Sequence, residues 1–161
     1  MSTTTDQYDD FHIILQKGKP SPLPANRNSP PLFITGGIFD GGATQVITAV
    51  HAIKSDVFTI YTKRSPQGAS NFSPSTKQVL NVADHVESIA RLNELLRDLP
   101  TQFPRAGAED LYDRNASIMK VTSPGAYMDF FRDQWEIPRP TEEQKVKFDE
   151  AMGIMEKWAT Q

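Results

Sequence analysis

A cluster of glycines lies between two apolar segments of the sequence, where a phosphate-binding turn could form. The apolar run from Leu32 to Thr35 is followed by Gly36 and Gly37, and Gly41 and Gly42 come shortly after them. Glycines between a strand and a helix allow backbone amides to approach a phosphate closely. The glycine-rich turn 36–42 is therefore a candidate nucleotide-binding site, although such glycines can also serve the geometry of a turn alone.

The segment 33–42 resembles the first turn of a short-chain dehydrogenase/reductase. Gly36 and Gly42 match a Gly-x-x-Gly-x-x-Gly form, and Phe39 stands where that family has its middle glycine. The resemblance covers residues 32 to 65 and implies NADP as the cofactor, with Lys63 and Arg64 receiving its 2′-phosphate. No Tyr-x-x-x-Lys motif occurs in the chain. The alternative function is thus a small nucleotide- or NAD(P)-binding module or a reductase-like enzyme.

Other residues with catalytic or metal-binding chemistry are scattered. His12, His51 and His85 are far apart in the sequence, and none has a second ligand at metal-binding spacing. Glu109, Asp110 and Asp113 form a short acidic cluster that could serve as a catalytic carboxylate site, but such a cluster is more typical of a loop or a helix start. We therefore expect no metal site and no catalytic residue, and we expect His51 and His85 to be solvated.

The first thirty-one residues have the composition of an extended arm. They include five prolines among Ser, Asn and Lys, and a proline-rich segment favours the extended polyproline conformation. Within them, residues 12–15 alternate well enough to add a short edge strand. Because a pre-extended arm loses little entropy on binding, we expect it to dock on a partner. Its apolar anchors would be Phe11, Ile13, Ile14 and Leu15.

A second candidate partner-binding group is aromatic. Phe130 and Phe131 are adjacent within a predicted helix at 124–134. Adjacent residues of one helix cannot both face a single core across a narrow stripe. We therefore expect one of them to contact a partner surface.

The pattern of apolar residues predicts a mixed α and β fold of 32–161, a single globular domain that follows the arm 1–31. Helical spacing of polar residues from Thr44 to Ser55 predicts a helix after the glycine turn, and a capping box at Thr141 begins the last helix. A small sheet of three to four strands is expected near 32–36, 57–63, 78–82 and 117–122, covered by helices near 43–54, 85–98, 124–134 and 142–159.

Composition limits the function further. Of 161 residues, 17 are basic and 20 acidic, giving a net charge of −3 without any basic run, so direct nucleic-acid binding is not expected. There are no cysteines, no membrane span and no classical signal peptide in the sequence, which favours a soluble protein of the cytoplasm or another reducing compartment. We predict a non-catalytic structural or interaction protein, a subunit of a larger assembly whose partner is another protein or a second copy.

Overall fold

The structure is a computed structural model, which describes residues 10–18, 44–64, 74–100, 111–121 and 138–161. Five strands and two helices lie in these ranges, so the fold is mixed α and β as predicted. The strands are β1 (Phe11–Lys17), β2 (Gln45–His51), β3 (Val57–Arg64), β4 (Thr76–Asn81) and β5 (Ala116–Val121); the helices are α1 (Val82–Asp98) and α2 (Glu142–Trp158).

The strands form one sheet in the order β4-β3-β2-β1-β5. Every neighbouring pair is antiparallel, so the sheet is a meander from β1 to β4 with β5 added beside β1. The sheet has five strands in place of the predicted three to four. The strand predicted at 32–36 and the helix predicted at 124–134 lie outside the described residues.

The helix predicted over 43–54 is wrong, because β2 occupies this segment and pairs with β1 and β3. The β-branched residues of the segment favour a strand. Both faces of β2 are covered at Val46 and Ile47, which are buried on opposite sides of the sheet. A strand that is buried on both faces shows a continuous apolar run, so its alternation is lost. The turn after it is sharp, and Lys54 adopts a left-handed backbone conformation (φ 62°).

The position of β1 shows that part of the predicted N-terminal arm belongs to the sheet. Residues 11–17 fall within 1–31, but they form a strand between β2 and β5, not the edge strand that the alternation of 12–15 indicated. Phe11, Ile13 and Leu15 face the helices and are buried in the core. The rest of the predicted arm, 1–9 and 19–31, lies outside the described residues.

Both helices pack on one face of the sheet. α1 begins at Val82, directly after β4, and its buried stripe is formed by Ile89, Leu92, Leu95 and Leu96. α2 begins with the predicted capping box, in which the Thr141 hydroxyl accepts from the Gln144 amide. Its buried residues, spaced by three or four, are Phe148, Ala151, Met155 and Trp158.

Hydrogen bonds and ring contacts hold the helices together and against the sheet. The Trp158 indole Nε1–H donates to the Ser88 hydroxyl of α1 at 3.1 Å, and its ring meets Phe58 of β3 edge-on at 5.0 Å. At the other end, Tyr112 stacks on Phe148 with ring centroids 4.0 Å apart. The core therefore lies between the helices and the helix-facing side of the sheet.

Candidate interaction surface

The side of the sheet that faces away from the helices carries exposed apolar side chains at one end. On β3 these are Val57 and Tyr61, each 37% exposed, and on β4 Val79 is 56% exposed. The register places Thr59 opposite Val79 and Tyr61 opposite Lys77. We call Val57, Thr59, Tyr61, Lys77 and Val79 together the β3–β4 surface.

The same face of the sheet is different toward β1 and β5. Ile14, Gln16, Val46 and Met119 point to this side and are all buried. Among the side chains on this face whose burial the structure describes, the exposed apolar ones therefore lie at the end formed by β3 and β4. One aromatic and two branched aliphatic side chains at diagonal positions of two paired strands form an apolar patch of the kind that binds other proteins.

Polar groups border the β3–β4 surface at both ends. Lys77 is exposed at one end, near the end of β3 where Lys63 and Arg64 lie. At the other end, the Asn81 side-chain amide donates to the carboxylate of Asp84 at 3.3 Å. The surface therefore has an apolar centre, a basic end and an acidic end.

The four predicted apolar anchors of the arm are in the interior of the domain. Phe11, Ile13 and Leu15 are at most 3% exposed and belong to the core, and Ile14 is buried on the opposite face of the sheet. Their apolar character is therefore accounted for by contacts within the same chain. Phe130 and Phe131 lie outside the described residues.

The glycines of the proposed nucleotide turn, Gly36, Gly37, Gly41 and Gly42, also lie outside the described residues. Lys63 and Arg64 end β3, as the sequence placed them. The resemblance to a dinucleotide-binding turn requires a helix after the glycines, because the helix N-terminus supplies the amides that hold the phosphate. The segment 45–51 is a strand antiparallel to β3, so that helix is missing from 45–51.

The three histidines lie at buried or half-buried positions of the fold. His51 is 4% exposed, so the expectation that it is solvated is wrong. Its Nε2 donates to the Ser55 carbonyl oxygen at 2.9 Å, which closes the turn between β2 and β3, and its ring stacks on Phe11. His85 is half-buried and meets Phe58 edge-on. The third, His12, is half-buried on β1, and burial lowers the pKa of its imidazole.

Several acidic residues of the described ranges form ion pairs with basic partners. Asp113, from the acidic cluster considered for catalysis, forms an ion pair with Lys145 at 3.0 Å, and Asp149 is held by Arg114, which lowers the pKa of that carboxyl group. Within the described part of the chain, no three His, Asp or Glu side chains come together as metal ligands would. Among the same residues, no helix has the length and apolarity needed to cross a bilayer.

Sequence reasoning missed the β3–β4 surface. The segment from Val57 to Thr62 was correctly predicted as a strand, but apolar residues occupy both of its faces: Phe58 and Ile60 point one way, Val57 and Tyr61 the other. The pattern therefore carried no signal for which face the helices cover. No protein-family model, no curated protein and no solved structure matches this chain.

Proposed function

We propose that this protein is a non-catalytic interaction or structural protein, a component of a larger protein assembly that it contacts through the β3–β4 surface. The observation that carries the proposal is the solvent exposure of Val57, Tyr61 and Val79 on one sheet face, where Val79 lies diagonally between the other two. Leaving such a patch in water is unfavourable by about 25 cal/mol for each Å² of apolar surface, and a protein partner would remove that cost.

The chemistry of the surface favours a polypeptide partner. Tyr61 presents an aromatic ring that can pack and a hydroxyl that can accept or donate, a combination enriched at protein interfaces. The net charge of −3 lacks the basic excess that a nucleic-acid partner would require. The route of assembly differs from the one expected from the sequence, since the apolar anchors at 11–15 are covered by their own domain.

Site-specific photo-crosslinking in the source organism tests this proposal. A benzophenone amino acid replaces Tyr61 in one variant and Val146, which is 65% exposed on α2, in the control. We expect the probe at position 61 to give discrete crosslinked polypeptides and the probe at 146 to give none of them. Equal products at both positions, or none at 61, would contradict the function proposed.

A second measurement uses charge. Tyr61→Asp places a carboxylate within the surface, and we expect it to move the protein from a larger complex to a smaller size in native chromatography of the cell extract. Val146→Asp introduces the same charge elsewhere and should leave the elution unchanged. The melting temperature of both purified variants controls for folding, because exposed positions tolerate such changes.

A further inference from the structure

Strand β4 presents an unpaired edge in addition to its exposed side chains. It is the outermost strand on its side of the sheet formed by the described residues, and Thr76, Lys77 and Val79 are exposed. An exposed edge is a template for pairing with another strand, because its outward N–H and C=O groups lack a partner in the sheet.

The direction of the edge groups follows from one hydrogen bond. The Val82 N–H donates to the Asp56 carbonyl oxygen at 2.8 Å, so this N–H points toward β3. Backbone amides alternate in direction along an antiparallel strand. The N–H groups of Asn81, Val79 and Lys77 therefore point away from β3, at the open edge.

We infer that β4 pairs with β4 of a second copy of this chain, antiparallel and about a twofold axis at Val79. This inference rests on the proposed function and names its partner. A twofold interface must be self-complementary. The register centred on Val79 is the symmetric one that uses all three outward residues, because it sets Val79 against Val79 and Lys77 against Asn81 of the second copy.

The charges of β4 and α1 favour the same register. Neither Lys77 nor Asp84 forms an ion pair within the described part of the chain. The Asp84 carboxylate lies beside the Asn81 side chain, so Lys77 of one copy would reach the acidic end of the other. A register centred on Lys77 would instead place two ammonium groups opposite each other, which is unfavourable.

The side chains agree with this arrangement. Residues directly opposite each other in an antiparallel pair share a face, so the two Val79 side chains would meet on the side away from the helices. Pairing covers the most exposed apolar residue of the β3–β4 surface with its own symmetry mate and continues the sheet across both copies. An interface built on one strand pair is small, and a reversible dimer is the expected result.

The test uses the purified full-length chain in sedimentation equilibrium, from about 10 μM to about 1 mM, the range suited to small interfaces. The wild type should pass reversibly from 18.0 kDa toward twice that mass. Val79→Pro removes an outward N–H that β3 does not use, and proline is tolerated at such edge positions. We expect it to keep its circular dichroism spectrum and to weaken dimerisation at least a hundredfold, while Val146→Lys on α2 leaves dimerisation unchanged.

A charge exchange keeps the inference testable if Val79→Pro fails to fold. Lys77→Asp and Asp84→Lys should each weaken the dimer about tenfold, because two symmetric ion pairs are lost, and the double variant should recover most of the wild-type affinity. A wild type that stays monomeric, a dimer unaffected by Val79→Pro, or a double variant weaker than both single ones would overturn the inference. In that case, crosslinks from position 61 to another protein would still support the proposed function, while pairing through β4 would be excluded.

Discussion

Leu15→Ala separates the two roles that can be given to the first strand. Leu15 is fully buried, and the register places it opposite Ile47 of β2 and Ile118 of β5. Truncation leaves a cavity in a site that is held from both sides, so little collapse can compensate. We expect the free energy of unfolding to fall by about 3 kcal/mol, as for other fully buried leucines. This is a large fraction of the 5–15 kcal/mol typical of a domain.

Urea unfolding at 25 °C measures this effect. With a slope of about 2 kcal/mol/M for a small domain, a loss of about 3 kcal/mol lowers the midpoint by roughly 1.5 M. Val146→Ala, at an exposed position of α2, is the control and should change stability by less than about 0.5 kcal/mol. If Leu15 were a partner anchor on an arm, Leu15→Ala would weaken assembly and leave stability unchanged. A loss below about 1 kcal/mol would refute the placement of β1 in the core.

Three further perturbations test other parts of the fold. Burial raises the pKa of the Tyr112 hydroxyl above that of the unfolded chain. The contribution of Tyr112 to folding stability is therefore present below about pH 10 and is lost at higher pH, where the phenol of the unfolded chain ionises first. Tyr112→Phe should lower the free energy of unfolding by about 0.5–1.5 kcal/mol at pH 7, because the hydrogen bond to the Pro100 carbonyl is lost. The difference in stability between wild type and variant, measured by urea unfolding, should narrow by pH 11. A difference that stays the same from pH 7 to pH 11 would contradict this. Burial lowers the pKa of His12, so its contribution to folding stability is full above about pH 6.5 and falls as the pH drops below that value. His12→Gln should therefore flatten the pH dependence of the unfolding free energy below about pH 6.5, and identical slopes for the two proteins would count against this. Thr141→Ala removes the acceptor for the Gln144 backbone amide and should lower the free energy of unfolding by about 1 kcal/mol in thermal or urea unfolding. Thr141→Ser keeps a hydroxyl at this position, so an equal loss of stability in that variant would show that the cap is not responsible.

Elements whose signals are local could be predicted from the sequence. The capping box at Thr141 and the stripe of buried leucines in α1 each identify a helix within a short window, and the structure confirms both helices. β3, β4 and β5 also lie close to their predicted positions. In each case the residues that determine the element are neighbours in the sequence, so no knowledge of the rest of the fold was needed.

The errors concern β1 and β2, two of the three interior strands of the sheet, which are surrounded by residues distant in the sequence. β2 is buried on both faces at Val46 and Ile47, and nothing in its own window reports the neighbouring strands that cover its edges. β1 has the same property, since Gln16 is buried on one side and Leu15 on the other. When both faces of a strand are buried, polar and apolar residues need not alternate as they do on a half-exposed strand, so the place of the strand in the sheet cannot be read from its own sequence. The wrongly predicted helix over 43–54 and the apolar part of the predicted arm both fall on these two strands.

The candidate surface could not be predicted for a related reason. Alternation along β3 separates Phe58 and Ile60 from Val57 and Tyr61, yet both pairs are apolar. Which pair is covered depends on where α1 and α2 pack, and that is decided by residues far away in the sequence, such as Trp158 against Phe58. The local pattern of β3 therefore distinguishes its two faces but does not show which of them is exposed to solvent.

The order of the strands also determines which strand edge is most prone to aggregation during folding. β1 is the first strand of the described residues, but one of its neighbours is β5, and His12 pairs with Val121. We expect a contact at such sequence separation to form late, because the loop it closes costs entropy before pairing stabilises it. Until β5 docks, the apolar strand β1 has an open edge, and its segment from Phe11 to Leu15 contains no charge other than that of His12 when protonated. Such an edge favours irreversible aggregation, whereas the β4 edge carries Lys77, which restricts its pairing. Variants that loosen β5 should therefore aggregate through β1 without strengthening a reversible dimer through β4.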